Sequence, residues 1–464
     1  MYQSIPSSFQ AAQGNGVARN AGEGESQPLQ DSKAPAEEAA RWRLLASSIG
    51  LLADAYDIFT IDIVLVILGS IYGEEATSPS SKSLMVCTLL LGIIVGQLSF
   101  GLVADLVGRK WAFVTTAGLT ILGAASSAFT NNHKGFPLPA QLALCRFVLG
   151  LGIGGEYPLS ASVTAESTQE PEQRRLLLAT VISMQGWGML LSSLIALLAL
   201  GLGCSFEVLW RLLLALGALP SIVAFYLRWQ LHESGTFKQA QSARLEQGQA
   251  NASRGELLRK LWPRLVGTSL SWLLMNMSLY SLGSFKSTVL NELMDPSEDS
   301  RRRELIVTCR FSACTSCFSI AGFTAALAMV NRMGCYWMQL MGFSALAVVF
   351  LLQAILSSSG HAAIWQVVIL LGLVFFFQNF GPNTTTFVIP AEAFPTLVRA
   401  TCHGISAASG KTGALAGTWA FPLVEASSGM TTVYVACAVT AVCGALVTYF
   451  LTPRSTLSLD SIAD

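Results

Sequence analysis

Charge is what this chain has least of. Lys and Arg number 28 and Asp and Glu 28, only 12% of 464 residues, against about 25% in soluble domains. Too few charges remain to coat a water-soluble surface of that size, so most of the chain must face lipid. The formal net charge is zero, which gives no sign of a nucleic-acid partner. Histidine is scarce as well. His133, His232, His361 and His403 are scattered with no cysteine or carboxylate at ligand spacing, so no metal site is expected. No nucleophile, base and oxyanion set stands at a recognised spacing, which argues against an enzyme, and no cofactor is expected. Residues 1–40 lack any apolar stretch and read as a disordered tail rather than a signal peptide. Cysteine is present, but Cys87, Cys145, Cys309, Cys314, Cys317, Cys402, Cys437 and Cys443 fall in apolar runs. There they serve as small apolar groups, and no essential disulfide is expected.

Apolar sequence is abundant: 52% of residues are hydrophobic and the mean hydropathy is +0.54. A hydrocarbon layer of about 30 Å takes about 20 helical residues to cross. About twelve such runs occur, near 45–72, 84–106, 111–131, 139–165, 176–202, 207–230, 263–290, 305–330, 335–357, 362–389, 400–425 and 430–452. The longest polar connection, within 232–262, splits them into two sets of six. These features predict an all-α membrane protein of twelve transmembrane helices in two pseudo-symmetric six-helix bundles. The bundles span 41–231 and 263–453, with a short tail at 454–464.

Arg41, Arg43, Arg109, Lys110, Arg174, Arg175, Lys238, Arg244, Arg254, Arg259, Lys260, Arg332, Arg399 and Arg454 all fall on one side of these runs. The positive-inside rule makes that side, and both termini, cytoplasmic. The sequon at Asn251 then lies in a cytoplasmic loop and should stay unglycosylated. Arg301, Arg302 and Arg303 are the exception, read as a solvated turn neutralised by Asp295, Glu298, Asp299 and Glu304.

Two stretches carry chemistry. Residues 150–167, GLGIGGEYPLSASVTAES, put Glu156 and Tyr157 inside an apolar span behind Gly150, Gly152, Gly154 and Gly155. An ionisable group at membrane depth usually faces a cavity or a partner, and the glycines let a neighbouring helix approach or the backbone bend. Residues 101–110, GLVADLVGRK, place Asp105 at a helix end and Arg109 and Lys110 about one turn beyond. Such a pair can lock helix ends in one state and release them in another. Arg211 and Glu166 stand near span ends as anchors, and Glu392 is placed to tie a span end to Arg399.

GLVADLVGRK, with a degenerate echo NRMG at 331–334, resembles the signature loop of the major facilitator superfamily. ADAYDIF at 53–59, RFVLGLGIGGEYPLSASVTAES at 146–167 and FGPNTTTFVIPAEAFPTLVRATCHGISAASGKTGA at 380–414 are similar to its phosphate:proton symporter family of fungi and plants. The resemblance runs from about residue 45 to 452. It implies proton-coupled symport of inorganic phosphate by alternating access across the plasma membrane, with phosphate, protons and the lipid bilayer as partners. Residues matching Tyr157, Gln185, Trp272, Asn276, Tyr280 and Asn383 would contact phosphate, those matching Asp54, Asp57 and Glu156 would move the proton, and those matching Arg146 and Lys411 would balance charge.

Residue chemistry points the same way. Trp272, Asn276 and Tyr280 recur every four residues, so one helix face offers an indole N–H, an amide and a phenol. Neutral donors suit a site that must release an anion, and Lys411 could balance its charge or pair with a carboxylate of the first half. Two positions depart from the family's pattern: Glu156 and Asn276 stand where Asp is usual. An amide cannot accept or deliver a proton, so coupling must rest on Asp54, Asp57 or Glu156. Asn276, and Ser281-Leu282-Gly283-Ser284 in place of the usual Ser-Gln-Asn, leave a carrier of an organic phosphate such as a glycerophosphodiester as the alternative. A transporter-like sensor would carry a longer cytoplasmic extension.

Overall fold

A backbone surrounded by lipid has no water to bond, and a helix satisfies its N–H and C=O groups within one segment. The structure, a computed structural model, describes residues 34–73, 78–131, 135–233, 235, 237–239, 242, 252–280, 301–359 and 363–454. The first half contains α1 (Ala34–Tyr72), α2 (Pro79–Leu106), α3 (Arg109–Ala128), α4 (Leu138–Ala165), α5 (Pro171–Gly201) and α6 (Phe206–Gln230). The second contains α7 (Ala252–Tyr280), α8 (Arg301–Ser359), α9 (Ile364–Phe380), α10 (Pro382–Ala393) and α11 (Arg399–Leu451).

Two of these are double. α8 turns at Gly334 (φ 75°) and α11 at Gly429 (φ 79°), a left-handed conformation open to glycine without Cβ strain. Conversely, α9 and α10 make one span broken at Gly381, where Pro382 has no N–H with which to continue the ladder. The described helices thus form the expected twelve spans. Eight helical stretches among the described residues are long and apolar enough to cross a membrane. α7 falls outside that set, mixing Ser269, Ser271 and Asn276 into its apolar run.

Two boundaries differ from expectation. α1 begins at Ala34 and α7 at Ala252, because the Ala, Glu, Leu, Arg and Lys residues there favour helix and carry it beyond the apolar run. Asn251 of the sequon lies outside the described residues.

The glycines of α4 act through close approach. A Cβ at Gly150 would meet the Leu89 carbonyl and one at Gly154 the Ile93 carbonyl, both on α2. Gly92 and Gly96 face them reciprocally. On the other side, Gly152 and Gly155 abut Thr120 and Thr116 of α3. Small residues four apart let backbones touch where lipid supplies no hydrophobic drive. The halves meet where α2 lies along α11 and α5 along α8.

Candidate functional site

Between the halves lies a pocket of about 410 Å³, its open part included. Six of the expected site residues line it: Tyr157 from α4, Gln185 from α5, Trp272 and Asn276 from α7, Asn383 from α10 and Lys411 from α11. Trp272 and Asn276 do share a face; the side chain of Tyr280 lies outside the described residues. The break at Gly381 puts Asn383 in the first turn of α10, beside Asn379 at the end of α9. A hydrogen-bonded chain crosses from one half to the other. Gln185 Nε2 donates to the Tyr157 hydroxyl (2.8 Å), Asn383 Nδ2 donates to Gln185 Oε1 (2.9 Å), and the same nitrogen reaches Asn379 Oδ1 (2.7 Å). Lys411 is the one cation among the lining residues, its Nζ 5.5 Å from the centroid of the Tyr157 ring. The Asn276 amide nitrogen is buried without a hydrogen-bond partner among the described residues.

The carboxyl groups lie elsewhere. Glu156 does not line the pocket; it forms an ion pair with Arg228 of α6, and both are buried. Successive helical residues point about 100° apart, so with Tyr157 on the pocket, Glu156 turns into the first half. Arg228 also donates to the Ala46 carbonyl (3.1 Å) and stacks 3.9 Å from the Phe113 centroid. Gly50 of α1 leaves room for this pair. Both oxygens of Asp54 and of Asp57, and Oε2 of Glu156, have no hydrogen-bond partner among the described residues. Arg146 bonds the Asp57 backbone carbonyl (2.8 Å).

Ionic ties cross the halves at one end. Arg109 meets Asp105 (3.1 Å) and Glu166 (3.0 Å) and donates to the Thr396 carbonyl (2.8 Å). Glu166 also meets Arg399 (3.3 Å), and Asp105 Oδ2 accepts from the Thr401 N–H and hydroxyl (both 2.7 Å). Glu392 is not the partner of Arg399: it pairs with Arg175 (3.3 Å), also across the halves. At the other end, Arg301 and Arg302 do more than solvate a turn. They donate to the carbonyls of Ser70 and Leu200, in the last turns of α1 and α5; the Leu200 carbonyl also accepts from the Gly203 N–H (3.1 Å). Leu305 and Cys309, a turn further on, are buried in an apolar cluster with residues of α1, α5 and α6. Asp295, Glu298 and Asp299 lie outside the described residues.

Sequence reasoning missed Arg228, Asn379 and Thr401. Arg228 stands close to the end of an apolar run and resembles an ordinary flanking cation. The Gln378-Asn379 pair after three phenylalanines was a legible signal. Thr401 had none, since its role exists only where α11 meets α2.

Residues 42–263 and again 239–461 match the sugar (and other) transporter family. The chain is 31% identical to inorganic phosphate transporter 1-6 of Oryza sativa subsp. japonica, over 86% of each chain. It is 30% identical to the low affinity inorganic phosphate transporter 1 of Petunia hybrida, covering 82% of this chain and 81% of the relative. In fold it is similar to the proton:xylose symporter XylE bound to 6-bromo-6-deoxy-D-glucose, with a TM-score of 0.72 at 18% identity over 92% of this chain and 100% of that one. The twelve spans, the pocket between two halves and these matches agree that the chain is a multi-pass membrane transporter, not an enzyme, and belongs to the sugar (and other) transporter family of the major facilitator superfamily.

Proposed function

We propose that the chain carries inorganic phosphate together with protons by alternating access, its bundles 41–231 and 263–453 rocking about the pocket. One observation carries this reading: the Tyr157–Gln185–Asn383 chain crosses the halves beside Lys411. These groups bond one another across the halves. A tetrahedral anion competes for the same donors and adds a charge-assisted contact to the Lys411 ammonium. Ligand therefore replaces direct bonds between the halves with bonds through itself, which is what a site shared by two rocking bodies needs. The similarity to plant inorganic phosphate transporters supports phosphate as that anion. Asp54, Asp57 and Glu156 are the candidate proton carriers, set in the first half away from the anion. The ties around Arg109 are the cytoplasmic gate on this reading, with both termini on that side and the plasma membrane as location.

Phe59, Met189, Leu279 and Phe375 also line the pocket, and with Asn276 they favour a second reading, a glycerophosphodiester whose organic part meets the apolar wall. The test is uptake of labelled phosphate, and in parallel of labelled glycerophosphocholine, by purified protein in liposomes, under an imposed proton gradient and separately under a sodium gradient. Accumulation with the proton gradient alone supports the proposal. Uptake of the diester with none of phosphate establishes the second reading, and accumulation driven only by sodium refutes the proton.

A further inference from the structure

Behind the pocket, four aromatic rings close on one another. Tyr157 lies 6.3 Å from Trp272 and 6.3 Å from Phe387, while His403 lies 5.4 Å from Trp272 and 5.2 Å from Phe387, centroid to centroid. Tyr157 comes from the first half; the other three come from α7, α10 and α11 of the second. His403 is fully buried and does not line the pocket. Its Nε2 is 3.1 Å from the Phe387 carbonyl. A carbonyl only accepts, so Nε2 must carry the proton, and that bond sets the plane of the imidazole. The ring stands nearly perpendicular to both neighbours, at 87° to Trp272 and 85° to Phe387, the edge-to-face arrangement aromatic quadrupoles prefer.

The same face of α11 holds Trp272 a second time. Gly410 is seven residues, about two turns, from His403, and a Cβ there would press on the indole and approach the Asn276 amide nitrogen at 3.0 Å. Trp272 is thus wedged between bare backbone and an oriented imidazole.

We propose that His403 is a positioning residue: it fixes the indole of Trp272 at the pocket wall and, through Phe387, the ring of Tyr157. One side chain of α11 thereby sets the two aromatic groups that the two halves present to the ligand. This rests on the reading of the pocket as a phosphate site. His403→Phe keeps a ring and loses the donor; His403→Gln keeps a donor and loses the ring.

Phosphate affinity of purified protein is measured for both variants, for Trp272→Phe and for the double variants. Each His403 variant is expected to bind about tenfold more weakly, the size of a lost aromatic contact or hydrogen bond, in protein that remains folded at the assay temperature and close to wild type in abundance. Added to Trp272→Phe, neither should weaken binding much further, because His403 acts through that indole. A readout free of ligand runs beside it: fluorine NMR of 5-fluorotryptophan-labelled protein, the Trp272 signal assigned by its absence in Trp272→Phe. That signal should broaden or split in both His403 variants. Additive losses, unchanged affinity, or an unchanged fluorine signal would each overturn the proposal. If wild type binds no phosphate while the fluorine signal still changes, the substrate reading fails and the positioning role stands.

Discussion

The pairing of Glu156 with Arg228 allows folding and coupling to be separated. Both side chains are buried, 2% and 0% exposed, and Asp54 is a second carboxyl in the electrostatic neighbourhood of both. Removing one member of a buried ion pair costs about 3–5 kcal/mol, whereas replacing both by groups of similar volume is often neutral. Arg228→Met leaves two carboxyls around an apolar side chain and should lose about that amount of unfolding free energy. Glu156→Gln is milder, because the guanidinium keeps the Ala46 carbonyl and the Phe113 face and can turn to Asp54; about 1–3 kcal/mol is expected. The double variant should return to within about 1 kcal/mol of wild type. Transport should not follow stability. Glu156→Gln and the double variant should both fail to accumulate phosphate against its gradient, while still exchanging it across the membrane. Thermal unfolding in detergent and paired uphill and exchange assays in liposomes give both readouts. Uphill uptake undiminished in Glu156→Gln would remove this residue from the coupling role, and an Arg228→Met protein as stable as the double variant would refute the energetic argument.

Lys411→Ala should weaken phosphate binding by about 10–100-fold, the size of a hydrogen bond to a charged group, with little loss of protein abundance; unchanged affinity on purified protein would leave Lys411 a structural role only. Asn276→Asp should make phosphate uptake more steeply dependent on acidic pH, while a diester, with no proton on phosphorus to share, should be repelled at neutral pH. Unshifted pH profiles for both substrates would show that Asn276 does not face the ligand. Gly154→Val should abolish stable protein, since its Cβ would press on the Ile93 carbonyl; a normal melting profile would refute the close approach of α2 and α4.

By itself the sequence determined the twelve spans, the two sets of six and the small-residue face of α4. Those properties depend on the local run of apolar residues and on the cost of an unbonded backbone in lipid. It also singled out Tyr157, Gln185, Trp272, Asn276, Asn383 and Lys411, through the family resemblance of the segments that hold them and because polar groups at membrane depth are costly. It could not say which of Glu156 and Tyr157 faces the pocket. Periodicity orients a residue about its own helix axis, whereas the direction of the pocket depends on where six other helices lie. Only tertiary structure decided that Glu156 meets Arg228, 72 residues away, that Glu392 meets Arg175 rather than Arg399, and that Arg301 and Arg302 close on the ends of α1 and α5. Each of these is a contact between helices distant in sequence, fixed by packing that charge spacing along one strand of text does not contain.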